Sequence, residues 1–234
     1  MCGRYSEAKL EAQLRKRFRI AKELGGVLPR YNMAPGQDGL VVLPTARERE
    51  RTLARFRWGL VPSWADDPSA GSKMINARAE TLSKRPAFEE ALRKRRCLVP
   101  ADGFYEWRKT REGRFPVRYV LKNEELFAFA GLWDVFRPKG GPPLYTYTIV
   151  TTSPNELVRP VHDRMPAILR EEDEEAWLDP AIEDPTRLAP LLAQFPAERM
   201  EAYDVSPLLN SVENEGPQVV ARGAPPEPAQ LSLF

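Results

Sequence analysis

Two cysteines and one histidine are all that this 234-residue chain offers for thiol, imidazole and soft-metal chemistry. Cys2 and Cys97 are too few for a disulfide framework, and with no export signal they suit a reducing cytoplasm. One histidine and two distant cysteines argue against a structural zinc site, so neither metal nor cofactor is expected. No apolar run approaches the roughly 20 residues that span a bilayer. Glu7, Lys9 and Glu11 stand where a signal peptide would be apolar, so no membrane association is expected. There is no glycine-rich nucleotide loop and no internal repeat. Charge of one sign is also missing: 35 Lys and Arg against 33 Asp and Glu leave a net +2. The total therefore says nothing for or against a nucleic acid.

The distribution of charge says more. Residues 84–96 (KRPAFEEALRKRR) are basic, and residues 171–184 (EEDEEAWLDPAIED) carry acids and no base. That contrast predicts a polarised surface with one face able to take phosphates, although solvated helix faces give the same pattern. Arginine outnumbers lysine, which suits bidentate phosphate contacts. Hydrophobic content of 42% and charged content of 29% describe an ordinary soluble protein able to bury a core. Proline, at 23 residues, is about twice its average usage and predicts ordered loops between short elements.

Ser6 reads as the N-cap of a helix over about 7–24, with Leu10, Leu14, Phe18 and Ala21 as its buried stripe and Gly25-Gly26 as its stop. Residues 30–37 read as a loop, 40–45 and 52–58 as strands, and 59–78 as a long polar loop of a length that is usually functional or disordered. A helix starts at Pro86 and runs to about Arg95. Strands follow at 97–100, 103–109, 115–121, 126–132 and 145–152, with a hairpin across Lys109–Gly113. Short acidic helices are expected near 171–178 and 186–194. The class is α+β: one β-rich domain with helices at its margins. From about Arg222 the Pro-rich sequence reads as an extended tail.

The most reactive feature stands at the start. If Met1 is removed, Cys2 becomes a 1,2-aminothiol, whose amine can condense with an aldehyde and whose thiol can then close a thiazolidine. Ordinary pKa values of roughly 7.7–8.0 for the amine and about 8.5 for the thiol leave both nucleophiles usable near neutrality. Cys97, in an apolar run, reads as core. Glu106 lies between aromatic residues on a strand, and alternation sends it to the face opposite Tyr105 and Trp107. Such a carboxylate tends to a raised pKa suited to acid/base work, while a salt-bridged strand glutamate is the plainer alternative. His162 is the only imidazole available, and a structural role is equally open to it.

Six segments share one order and spacing: MCGRY, RYNMAPG, WGLVPSW, NARAET, LVPADGFYEW and HDRMP. Together they resemble the SRAP family, the SOS-response-associated peptidase-like proteins, which include suicide cross-linkers of abasic DNA. The resemblance covers roughly residues 1–220 and implies a single SRAP-type domain over 1–221, with barrel-like antiparallel sheets and peripheral helices. It implies that Cys2, once Met1 is lost by self-processing, traps the ring-opened aldehyde of an abasic site in single-stranded DNA as a thiazolidine. Asn76 would hold cysteine and sugar by hydrogen bonds. Glu106 would shuttle protons during ring opening and Schiff-base formation, and His162 would act on the sugar oxygen and in reversal. Arg4, Arg78, Arg85 and Arg164 match phosphate-gripping positions, and Pro35 and Trp107 match the apolar wedge beside the lesion. Trp64 is near a stacking position, but Ser63-Trp64-Ala65 departs from the more aromatic pair expected there. Schiff-base chemistry beside a Glu and a His also implies a weak lyase activity.

Residues 222–234 form the expected tail. Gln230, Leu231, Leu233 and Phe234 within Gln230-Leu231-Ser232-Leu233-Phe234 resemble the short peptide by which bacterial proteins dock on the replicative sliding clamp. The expected molecule is a cytoplasmic monomer acting near replication forks. A thiol peptidase using Cys2 and His162 on other proteins, and a non-catalytic single-strand-binding module, are the alternatives.

Overall fold

The computed structural model describes residues 2–45, 50–122 and 125–223. Its strands are β1 (Tyr5–Glu7), β2 (Arg30–Met33), β3 (Asp38–Pro44), β4 (Arg51–Trp58), β5 (Asn76–Arg78), β6 (Arg96–Ala101) and β7 (Gly103–Thr110), then β8 (Gly113–Leu121), β9 (Phe127–Phe136), β10 (Leu144–Thr152), β11 (Met165–Pro166), β12 (Ile168–Leu169) and β13 (Met200–Asp204). The helices are short: α1 (Glu11–Phe18), α2 (Pro86–Lys94), α3 (Glu174–Leu178) and α4 (Pro185–Leu188). Among the described residues no helix is long and apolar enough to cross a membrane.

Strands β3, β4, β10, β9 and β6 each pair with the next, and β6 returns to β3. The result is a closed five-strand barrel in which only β4 and β10 run parallel. A second, fully antiparallel sheet has the order β13-β8-β7-β1-β2. The chain passes between them at Asp102, whose amide donates to Ser6 O at 3.0 Å. Strand alternation sorts the core in two. Val41, Phe56, Trp58, Val99, Phe129 and Tyr147 share one cluster with Tyr5, Phe104 and Tyr119 of the second sheet. Leu40, Val42, Leu53, Leu98 and Leu132 instead pack against α1, α2, Trp177 and Leu188. Cys97 is buried, as its apolar run implied.

The α+β class, the 109–113 hairpin and the Pro86 helix start agree with the sequence. The first helix does not. Ser6 lies in β1, buried with Tyr5 and Glu7, because the backbone there bonds to both β2 and β7. The Tyr5 ring meets Trp58 and Phe129 edge-on at 5.2 and 5.8 Å between centroids. The helix is therefore confined to 11–18. It ends in Arg19, in the left-handed conformation (φ 53), rather than at Gly25-Gly26, and Ala21 bonds to Arg51 O outside it. Arg30–Met33 is a strand, not a loop, because its backbone pairs with β1, and the Asn32 side-chain amide donates to the carbonyls of Leu209, Ser211 and Asn214. The long 59–78 segment folds on itself at Gly59 (φ 125), where a Cβ would meet Gly71 O at 2.7 Å, and it finishes in β5.

The charged runs are less free than their composition implies. Arg96 is buried and donates to carbonyls at the ends of α2 and α3. Arg95 pairs with Asp134 at 3.2 Å and Arg93 with Glu89 at 3.2 Å. In the acidic run, Glu174 lies between Arg17 and Arg51, each at 2.7 Å, and Glu175 pairs with Arg19. At the far end Arg222 bridges to Val205, and the Gly223 amide donates to Asp204 O. Gln230, Leu231, Leu233 and Phe234 lie outside the described residues.

Candidate functional site

Four residues distant in sequence meet where the second sheet abuts the barrel. Cys2 enters just ahead of β1 and is 0% exposed, its sulfur 3.8 Å from Arg4 O. Asn76 opens β5, which is laid parallel on β10 with Asn76 opposite Ile149. Its side-chain amide donates to Cys2 O at 2.8 Å. Its other side-chain atom, Oδ1, is sealed from solvent without a hydrogen-bond partner among the described residues. A buried acceptor with its capacity unspent invites a donor from a ligand.

Glu106 lies on β7, two residues after Phe104, which faces Tyr5 of β1. It is 4% exposed, while Tyr105 and Trp107 belong to a separate cluster on the opposite face, as alternation requires. Burial, assisted by the negative charge of the neighbouring Asp163, pushes its carboxyl up to about 7. Its Oε2 is 4.0 Å from His162 Nε2. His162 closes a turn built on the buried Asn155, whose Oδ1 accepts from Val158 N, and the His162 amide in turn donates to Val158 O. Nδ1 lies 3.0 Å from both the Arg164 amide and an Asp163 carboxylate oxygen. A neutral ring cannot serve both, since the amide needs a lone pair and the carboxylate needs a proton. The Arg164 amide is fixed by the chain and Asp163 is exposed, so the neutral tautomer carries its proton on Nε2, toward Glu106. Burial lowers the His162 pKa below its ordinary value.

Burial, reinforced by the Glu106 charge, pushes the Cys2 thiol far up, so the sulfur stays protonated at neutral pH. In the chain that retains residue 1, Cys2 is thus neither solvent-facing nor a free amine. The cluster holds a thiol, an amide, a carboxyl that titrates near neutrality and a neutral imidazole. That set can move protons and stabilise an addition to a carbonyl.

The expected nucleic-acid contacts divide into two kinds. Pro35, Arg78 and Arg85 are exposed, and Trp64 is 63% exposed. Arg4 and Trp107 meet beside β7, with the guanidinium 5.6 Å from the ring centroid. Arg4 also donates to Asn32 Oδ1 and Leu209 O, and Trp107 Nε1 donates to Asn210 Oδ1 at 2.7 Å. Arg164 is committed to its own chain, with both terminal nitrogens on Glu80. Asn32, Asn155 and Glu80 organise the site and were not foreseen. Asn32 and Glu80 stand inside the quoted motifs, but nothing in alternation or charge marks them as partners.

The model of the SRAP family, described as SOS response associated peptidase, matches residues 1–212. The abasic site processing protein YoqW of Bacillus subtilis (strain 168) is 45% identical over 223 residues, covering 94% of this chain and 99% of that protein. The abasic site processing protein HMCES of Gallus gallus is 41% identical over 224 residues, covering 83% and 66%. Among solved structures, an X-ray structure of a protein from Bacteroides thetaiotaomicron superposes with a TM-score of 0.85 at 28% identity, covering 95% of this chain and 100% of that one.

Proposed function

The chain belongs to the SRAP family, and from that premise we propose that it captures abasic sites in single-stranded DNA as a covalent thiazolidine on Cys2. The observation that carries this is the convergence of Cys2, Asn76, Glu106 and His162 on one spot. Hydrolysis of the Met1–Cys2 bond comes first, because the Cys2 nitrogen is an amide until then. Self-processing within the same cluster suits this step.

The amine then adds to the C1′ aldehyde of the ring-opened sugar. Glu106, whose carboxyl is pushed up to about 7, gives its proton to the departing hydroxyl, and water leaves as the Schiff base forms. The Cys2 sulfur adds to the imine carbon, forming the C–S bond. Its proton goes to the Glu106 carboxylate, and the imine nitrogen ends as a ring N–H. Aldehyde and aminothiol thereby become thiazolidine and one water, with no oxidant or reductant. Asn76 Oδ1 is available to accept from the ring N–H or a sugar hydroxyl. His162 would exchange a proton with the sugar oxygen through Nε2, beside Glu106. A raised thiol pKa is compatible with this order, since the sulfur need not ionise until the iminium is beside it.

Exposed Arg78 and Arg85 would hold phosphates, Arg4 would approach the backbone beside Trp107, and Trp107, Pro35 and Trp64 would fill the stacking gap left by the missing base. The Gln230–Phe234 peptide would dock on the sliding clamp, in a cytoplasmic protein that works as a monomer at the fork. The test uses single-stranded oligonucleotides with and without an abasic site. A heat-stable adduct is expected only on the abasic strand and only after Met1 loss, which intact mass reports. Cys2→Ala should abolish the adduct and leave weak strand scission through its remaining amine. Heat-stable adducts formed by Cys2→Ala would overturn the thiazolidine.

A further inference from the structure

The face of the second sheet that meets the barrel carries a polar group for which the chemistry above has no use. Alternation places Phe104, Glu106 and Arg108 of β7 on that face, opposite Tyr119, Val117 and Phe115 of β8. Ala202 and Asp204 of β13 continue it on the far side of β8. The Tyr119 ring stacks on Phe104, with centroids 4.9 Å apart and planes 13° from parallel. Tyr119 is fully buried, and its hydroxyl is sealed from solvent with no hydrogen-bond partner among the described residues. A phenylalanine would fill the same space without the cost of an unpaired buried hydroxyl.

The strand register sets that hydroxyl beside the site carboxyl. Tyr119 pairs with Phe104 and Val117 with Glu106, so Tyr119 and Glu106 are diagonal neighbours across two strands. Such neighbours lie about 7–8 Å apart, within reach of an aromatic side chain. Of the charges acting on the hydroxyl, that of Glu106 is the largest, ahead of Arg108 and Asp204. Asp204 is the rival acceptor, but the Arg108 guanidinium already pairs with both its oxygens, at 2.9 and 3.3 Å. The cross-linking chemistry uses Glu106 twice, first giving a proton as the Schiff base forms and then taking one from the Cys2 thiol. Between the two steps Glu106 is a carboxylate shut away from water. A phenol O–H beside it donates strongly to that anion and gains less from the neutral acid.

We propose that Tyr119 is a positioning residue whose hydroxyl donates to the Glu106 carboxylate in the interval between its two proton transfers. The phenol keeps its own proton throughout, since burial raises its pKa. The role rests on the function proposed above for its rate readout, while its titration readout stands apart from that function. The Cys2 thiol, His162, Asp163 and the amino terminus also act on or face Glu106, and Lys109 acts on His162. Tyr119→Phe alters none of these groups and removes a single oxygen.

The experiment compares full-length wild type, Tyr119→Phe, Glu106→Gln and Asp204→Asn. His162 is the only histidine, and its ring lies 4.0 Å from Glu106, so its NMR signals report the ionisation of that carboxyl without overlap. Wild type should show an inflection near pH 7 that Glu106→Gln removes. Tyr119→Phe should move that inflection up by about one unit, because the ionised carboxyl loses a donor. Asp204→Asn should leave it in place. On an abasic single strand at pH 6, where Glu106 keeps its proton, Tyr119→Phe should cross-link about three- to tenfold more slowly. Its binding to an intact strand should be unchanged, and its melting temperature equal or higher. An inflection that stays put in folded Tyr119→Phe, or a lower melting temperature with a normal rate per folded molecule, would overturn the proposal. Failure of wild type to form any cross-link would instead strike the proposed function, and the histidine titration would still decide the role of Tyr119.

Discussion

Glu174 and Glu106 are both carboxylates shut away from water, at 1% and 4% exposure, and they illustrate two uses of a buried charge. Glu174 lies between the Arg17 and Arg51 guanidiniums and ties α1, β4 and α3 together. Glu106 faces an imidazole at 4.0 Å, and burial pushes its proton affinity up to about 7. The first carboxylate is clamped between two guanidiniums and works as a tie. The second is balanced between two states, which suits proton transfer and adds little to the fold. Removing a partner from a buried ion pair strands a charge, whereas neutralising a desolvated carboxylate relieves one.

The strongest way to break the comparison is to exchange the outcomes. Glu106→Gln should slow cross-linking by about 10²–10⁴-fold with thermal stability at pH 8 unchanged or higher. A variant that unfolds while its folded fraction reacts normally would reverse the assignment. Glu174→Ala should do the opposite, lowering unfolding free energy by about 3–5 kcal/mol in denaturant melts. Its rate per folded molecule should match wild type.

The pH dependence of stability sharpens the contrast further. Glu7 is buried, and that burial raises its carboxyl from 4.5 to about 8, against the opposing Leu40 amide hydrogen bond and the Arg30 charge. Because its folded pKa lies above its unfolded one, the folded chain binds the extra proton between these values. Its contribution is fully present below about pH 4.5 and is lost as pH climbs through about 8. Glu106 acts with the same sign up to about 7. Melting temperature should therefore fall from pH 5 to pH 8, and Glu7→Gln should flatten that slope. The smallest effect belongs to the exposed Glu89–Arg93 pair. Glu89→Ala should change stability by no more than about 0.5 kcal/mol, measured in the same melts.

The central strands were legible because β-branched and aromatic residues alternate in them, and α2 because Pro86 marks its first turn. Cys2, Asn76, Glu106 and His162 could be named from their motifs, but only the fold brings them together. Tyr5–Glu7 was misread since three residues are too few for alternation to register, and its Ser and Glu are buried for hydrogen bonding rather than for hydrophobicity. Asn32 escaped notice for a related reason. An asparagine that satisfies three carbonyls of a segment some 180 residues away has no local signature. Arg96 looked like a free cation because composition counts charges and not their partners.

The parallel seam between β4 and β10 sets a timetable for the molecule. Arg57 must wait for Thr146, roughly ninety residues later, before the barrel can close. Asn76 likewise gains its support from β10 only when Ile149 arrives. Such distant pairings form slowly, and during synthesis at about 5–20 residues per second they cannot form at all until the later strand has emerged from the ribosome. A nascent chain therefore holds Cys2 and Asn76 before the strand that supports their contact exists.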